Sequence, residues 1–263
     1  MKLSPAELAS NTLDPETLNL AVQQFKANGY VLFEKVLPPD LVSTLHAEFM
    51  QVLTAHIAQT EQNRGVNRYQ MHLPFTEPFI DPRVITNPFA LPVIDAILGD
   101  DCICQYFASD TPLPGSDYQQ VHSDTHPLFP ETGLAVPTYN IGFNIPLVDF
   151  RADNGPIEIW PGGTHLAPSG VNMTELAPLM HSAEVLMPAG SLLIRDMRMW
   201  HRGTPNRSDE ARPNMAMIYA QFWLKTSYPP IGIPRATYDG LSPRAQQLFR
   251  DEDIGGNLVN MPS

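Results

Sequence analysis

His122 and Asp124 stand one residue apart, and His201 follows far downstream with Arg212 eleven residues beyond it. Two imidazoles and one carboxylate on one face of an ion, with the other face open, are the ligand set of non-haem Fe(II) oxygenases. An arginine just past the second histidine is placed to clamp the free carboxylate of a bound 2-oxo acid. His122 and Asp124 fall at the end of a predicted strand, where alternate side chains leave one face with Cα atoms about 6.6 Å apart. His126 continues that alternation, but on an unbroken strand its Cα would lie about 13 Å from that of His122, too far to share an ion. The third donor therefore comes from elsewhere in the fold, and His201, after the run SLLIRD, is the candidate. His46, His56, His72, His165 and His181 take the bland reading of hydrogen bonding or packing.

The elements that must position these residues change character near residue 101. Before it the chain reads as helical. Asp14 is a candidate cap for a helix with Pro15 at its first position and Gly29 at its end. Tyr30 to Val36 reads as a short strand. A longer helix follows Pro38-Pro39, with Leu41, Val42, Leu45, Phe49, Val52, Leu53 and His56 on one face. Residues 91–98 suggest another short helix ending at Gly99. From 101 to 225 short apolar or alternating runs are separated by Pro, Gly, Asn and Asp: CICQYFAS, DYQQVHSD, TYNIGFNIPLV, PIEIW, AEVLM, SLLIRD and NMAMIYAQFWL. That punctuation predicts a mainly β sandwich or barrel. Residues 226–263, rich in Pro and Gly, are expected to wrap the barrel or cover its mouth. With no visible linker or repeat, residues 1–263 are read as one domain.

The net charge of −12, with only four lysines, disfavours nucleic acid and anionic membranes as partners, since both are bound through basic patches. A small molecule is the expected partner; oligomeric state is left open. Arg195, Arg198, Arg202, Arg207 and Arg212 nevertheless gather around His201. For all but Arg212 the expectation is a salt bridge on a sheet surface. No apolar run approaches a membrane span, and the first residues lack the apolar stretch of a secretory signal, so a cytoplasmic location is the default expectation. Cys102 and Cys104 are expected to be reduced core thiols.

The surrounding motifs resemble the phytanoyl-CoA dioxygenase family of Fe(II)/2-oxoglutarate oxygenases, from about Phe25 to Trp223. FKANGYVLFEKVLPPDLVSTL is similar to the family's opening strand and helix. The His122-x-Asp124 pair comes next. NIPLVDFRADNGPIEIWPGGTH resembles its Asn-Gly-Pro, strand, Pro-Gly-Ser-His segment, with Gly163-Thr164 in place of the usual Ser. GSLLIRDMRMWHRGTPNRSDEAR matches its distal motif at His201, Gly203, Asn206 and Arg212. Four segments in order, correctly spaced, are far more specific than any one of them.

The resemblance implies a double-stranded β-helix (the cupin-like jelly roll) flanked by N-terminal helices, with iron held by His122, Asp124 and His201. It also implies that 2-oxoglutarate is gripped through its distal carboxylate by Arg212, whose fork pairs bidentately and keeps its charge. Gln120, expected on the strand face of His122, matches a position that contacts the co-substrate. Thr164 is a further candidate for that pocket, closure of the PGGTH turn being its other reading. Retention of Asp124 argues against halogenation, in which chloride takes the place of this carboxylate. The implied activity is a dioxygenase reaction using Fe(II), 2-oxoglutarate and O2 on a C–H bond of a small organic or natural-product substrate, hydroxylation foremost. The 64–76 segment, strand residues such as Tyr106 and Phe143, and the C-terminal loops are expected to line the substrate pocket; within the segment Arg68, Tyr69 and His72 are candidates, with ordinary packing as the alternative for each. Two rival classes remain: a redox-inert metal jelly roll (isomerase or hydrolase) using the same triad, and a binding module without turnover.

Overall fold

The structure, a computed structural model, describes residues 1–257. Eleven strands run in chain order: β1 (Tyr30–Phe33), β2 (Arg68–His72), β3 (Ile103–Pro112), β4 (Asn140–Pro146), β5 (Ile157–Ile159), β6 (Ala183–Val185), β7 (Leu192–Asp196), β8 (His201–Gly203), β9 (Asn214–Ala220), β10 (Gly232–Ile233) and β11 (Asp253–Ile254). Six of them form a sheet in the order β1-β7-β4-β9-β3-β2, and three form a second sheet in the order β6-β5-β8. Neighbours within each pair antiparallel. Ile157, Ile159 and Val185 of the small sheet pack with Leu193 and Leu32 of the large one. This is the jelly roll that the family resemblance implies, and it fits the mainly β sandwich or barrel predicted by the strand punctuation.

Period-2 alternation splits the large sheet into two faces. Ile141, Phe143 and Ile145 of β4, and Met215, Met217 and Tyr219 of β9, join the main core with Phe25, Phe49, Val93 and Ile94 of the helices. Gly142 and Asn144, with Asn214, Ala216 and Ile218, turn the other way and line a cavity. The helices thus back one face of the sheet and leave the other for chemistry.

The helices follow the expected signals with one exception. Pro15–Asn28 ends on Gly29, whose φ of 81° needs a residue without Cβ. Pro39–Gln59 buries Leu41, Val42, Leu45, Phe49 and Leu53, and Ala90–Leu98 stops at Gly99. Asp14, however, occupies the N-cap position with no side-chain hydrogen bond to the helix, so its capping role is corrected. A further helix, Pro5–Ser10, is closed by a Ser4–Glu7 capping box that the sequence reading passed over.

DYQQVHSD is the one expected strand that does not form. The segment runs along β8 instead. The Gln119 N–H donates to the Gly203 carbonyl at 3.0 Å, and the His122 N–H to that of His201 at 2.9 Å. Three steps on one chain against two on the other make a one-residue bulge, which flips the side chains beyond it. Cys102 and Cys104 are both free and buried, and burial pushes the Cys102 thiol up to about 11. Among the described residues no helix is long and apolar enough to cross a membrane.

Candidate active site

His122, Asp124 and His201 converge, each offering a ligand atom within 4.8 Å of the others. Asp124 Oδ2 lies 3.2 Å from His201 Nε2, and Asp124 Oδ1 lies 3.6 Å from His122 Nε2. The backbone fixes this meeting: His122 and His201 exchange N–H···O bonds of 2.9 Å in both directions, and the Asp124 N–H donates to the Met197 carbonyl. Each imidazole is also oriented. His122 Nδ1 is 2.8 Å from the Gln120 carbonyl, and His201 Nδ1 is 3.0 Å from that of Met199. A carbonyl can only accept, so each Nδ1 donates to its carbonyl and each Nε2 is turned toward Asp124, the orientation that a metal needs. Burial, and next the neighbouring His201, lower the pKa of His122 and favour its neutral form. For Asp124, burial acts to raise the pKa, but His201 and Arg195 outweigh it and hold the carboxylate well below its usual range.

These three side chains sit in the wall of an open cavity of about 120 Å³. A second charged cluster lies toward the Asn214 end of the sheet. Arg68 Nη1 donates to Asp110 Oδ2 at 3.2 Å, and its Nη2 to the Thr204 carbonyl at 3.0 Å. Arg212 lies 3.7 Å from the same Asp110 oxygen and 4.1 Å above the Phe150 ring. Arg212 is fully buried, yet Nε, Nη1 and Nη2 all lack a hydrogen-bond partner. Burial, with Arg68 adding to it against Asp110, pushes the guanidinium down to about 9, still charged at neutral pH. A buried guanidinium with no side-chain hydrogen bond, sharing its one carboxylate with a second arginine, fits a further bound carboxylate.

Residues 25–214 match the family model for phytanoyl-CoA dioxygenase. The chain belongs to the phytanoyl-CoA dioxygenase family. Among curated proteins of this similarity, the dioxygenase af480 of Aspergillus fumigatus is 24% identical over 68% of this chain, which spans 58% of that relative's length. The multifunctional dioxygenase ausE of Aspergillus calidoustus is 23% identical, over 86% of this chain and 80% of its own. Of solved structures, the epimerase SnoN in complex with Fe3+, alpha ketoglutarate and nogalamycin RO superposes with a TM-score of 0.61 at 20% identity, covering 79% of this chain and 85% of that one.

Within this family member several expected contacts are corrected. Gln120 is exposed and lies outside the cavity; the bulge puts Gln119 there instead, its Oε1 accepting from the Gly203 N–H at 2.9 Å. The buried Thr164 hydroxyl donates to the Trp160 carbonyl at 2.5 Å and accepts from the Trp200 N–H at 3.2 Å, closing its turn away from the cavity. Phe143 faces the helices, edge-on to Tyr219. Tyr69 packs toward the core and His56, and His72 lies against Tyr106 on the rim of a different hollow. Tyr106 does line the cavity, and Arg68 reaches it only through Asp110.

Polar cavity residues given no role by name include Gln70, Asn144 and Asn214. Gln70 lies in the 64–76 segment expected at the pocket and is hydrogen-bonded to Tyr106. Asn144 and Asn214 were legible, since each is the polar member of an alternating run. Arg195 was taken for a surface residue. It is salt-bridged, but inside the cavity and to Asp124, at 2.5 Å. Arg202 pairs with Glu158 as expected, whereas Arg198 pairs with Asp196 in the interior and not on a sheet surface.

Proposed function

We propose that this chain is an Fe(II)- and 2-oxoglutarate-dependent dioxygenase that hydroxylates a C–H bond of a small organic or natural-product substrate. One observation carries the reading: a triad whose two Nε2 atoms converge on Asp124 in the cavity wall, with a buried arginine behind Asp110 of the same wall that makes no side-chain hydrogen bond. His122, Asp124 and His201 would hold the iron, and Arg212 the distal carboxylate of 2-oxoglutarate. Iron, 2-oxoglutarate and O2 supply the oxidising chemistry when bound, with succinate and CO2 as by-products.

The chain's own residues bind, orient and exclude water. The Gln120 and Met199 carbonyls fix the two imidazoles. Arg195 holds the Asp124 carboxylate in place. Tyr106, Ile218 and Tyr228 give the cavity an apolar wall, and the Tyr106 and Tyr228 rings stand 5.0 Å apart. A redox-inert metal jelly roll would use the triad but has no use for the unpaired Arg212.

Anaerobic titration with Fe(II) and 2-oxoglutarate tests the reading through the weak visible charge-transfer band of the chelate. The band is expected in the wild type and lost in Asp124→Ala together with iron binding and succinate formation. Iron binding without the band would replace the oxygenase reading by the redox-inert one.

A further inference from the structure

The buried charges around the cavity do not balance. Arg68, Arg195 and Arg212 are all buried, and the carboxylates that face them are Asp110 and Asp124. One positive charge is left over, and Arg64 at the exposed rim has the same sign. A divalent ion and a doubly charged 2-oxo diacid cancel each other, so filling both of those places leaves the excess where it was.

That excess sits with Arg68 and Arg212, which share Asp110; Arg195 stands apart from it by its unpaired N–H groups, and register gives its place. Arg195 pairs with Gly142, which pairs on its other side with Ile218. Asn214, beside the Arg212 and Asp110 cluster, lies four residues along β9 from Ile218, about 13 Å away. The two arginines therefore mark opposite ends of one sheet face. At the Arg195 end Gly142 makes the room: a Cβ there would meet Met197 Sδ at 2.8 Å and the Arg195 Cζ and Nε at 3.5 Å. Arg195 is 7% exposed. Its Nη2 donates to Asp124 Oδ2, while Nε and Nη1 have no partner. Buried N–H groups of a charged side chain are costly to leave unpaired.

We propose that Arg195 is the substrate-recognition residue of this chain. The substrate is a small organic acid whose carboxylate accepts hydrogen bonds from the N–H groups of Arg195 that Asp124 leaves free. Its carbon skeleton then lies against Tyr106, Ile218 and Tyr228, beside the triad. The planar guanidinium suits this ligand, because a carboxylate offers acceptors in its own plane. One guanidinium would then hold both the Asp124 ligand and the substrate, so recognition and metal geometry share a residue. The proposal rests on the oxygenase reading for what fills the rest of the cavity.

The test titrates anaerobic protein, loaded with Fe(II) and 2-oxoglutarate, with benzoate, cyclohexanecarboxylate and octanoate, and in parallel with the primary amide of each. At least one acid is expected to shift the charge-transfer band with an affinity tenfold or more above that of its amide. Arg195→Gln is expected to erase that preference, and Arg195→Lys to retain part of it. The proposal is overturned by wild-type protein that prefers no acid to its amide, or by a preference that survives in Arg195→Gln. Zn(II)-loaded protein followed by calorimetry gives the same acid–amide comparison without the band. A missing band would thus count against the oxygenase reading alone. Arg195→Lys keeps a donor for Asp124 and separates loss of recognition from loss of metal.

Discussion

The two ends of the sheet face that carries the cavity each bury an arginine nearby, and they hold it differently. At one end Arg195 is tied to the carboxylate of Asp124 within the triad. At the other, Arg212 lies 3.7 Å from Asp110, which Arg68 also pairs with, and its side chain makes no hydrogen bond. The first is a cation whose place is fixed by the site. The second is a cation that the site leaves waiting for a ligand. A buried guanidinium without an anion is a liability for the fold, and it is tolerable where a carboxylate arrives to complete it.

The sharpest way to break this contrast is Arg212→Met. Loss of a bidentate charge-assisted pair should weaken 2-oxoglutarate binding by about 100-fold, on the order of 3 kcal/mol, with iron affinity kept. Without ligand the variant should melt no lower than the wild type, since a lone buried charge has been removed. Calorimetric titration and thermal melts read the two effects, and a large loss of stability would mean that Arg212 is structural.

Asp110→Asn tests the same end from the other side. Arg68 and Arg212 would then face each other without a counter-charge. Asp110 keeps a third of its side-chain surface accessible, so the cost is discounted to about 2 kcal/mol. That corresponds to a fall of roughly 4–8 °C in melting temperature. An unchanged melt would show that solvent, and not Asp110, balances the pair.

The smallest effect concerns the segment that brings Tyr228 to the Arg195 end. Glu252 Oε2 accepts the Ile231 N–H at 2.6 Å. Burial raises its pKa from 4.5 to about 7, with the Ile231 hydrogen bond opposing. The folded state therefore holds this proton more tightly than the unfolded chain. Stability from the site is complete below about pH 4.5 and is lost as the pH rises through about 7. Glu252→Gln should flatten that slope by about 1 kcal/mol after allowance for solvent access. Urea melts at pH 5 and pH 7.5 that show equal slopes for both proteins would remove this role.

Much of this arrangement was legible in the sequence because it rests on periodicity. β4 reads Asn-Ile-Gly-Phe-Asn-Ile, and β9 reads Asn-Met-Ala-Met-Ile-Tyr. The alternation names the face toward the helices, and the same rule applied strictly would have removed Phe143 from the pocket. The triad was legible because its residue types are rare in combination. Gln120 was misplaced because a bulge is a matter of hydrogen-bond register between segments some eighty residues apart, and nothing local encodes it. The partners of five neighbouring arginines were equally hidden. Charge pairing across the fold decides which of them is a surface salt bridge and which faces the site.

The order of strands also governs when the site can come into being. β9 is the last strand of the large sheet in sequence, yet it lies between β4 and β3 at its centre. Until residues 214–220 insert, the pair β3-β2 has no hydrogen-bonded link to β1-β7-β4. A growing chain therefore cannot close the cavity strand by strand. It must wait for one late, long-range insertion, the kind of step that slows folding of β-rich topologies. A nascent fragment that ends before residue 214 lacks the strand that joins the two halves of the sheet behind the cavity, so the cavity is completed only when β9 arrives.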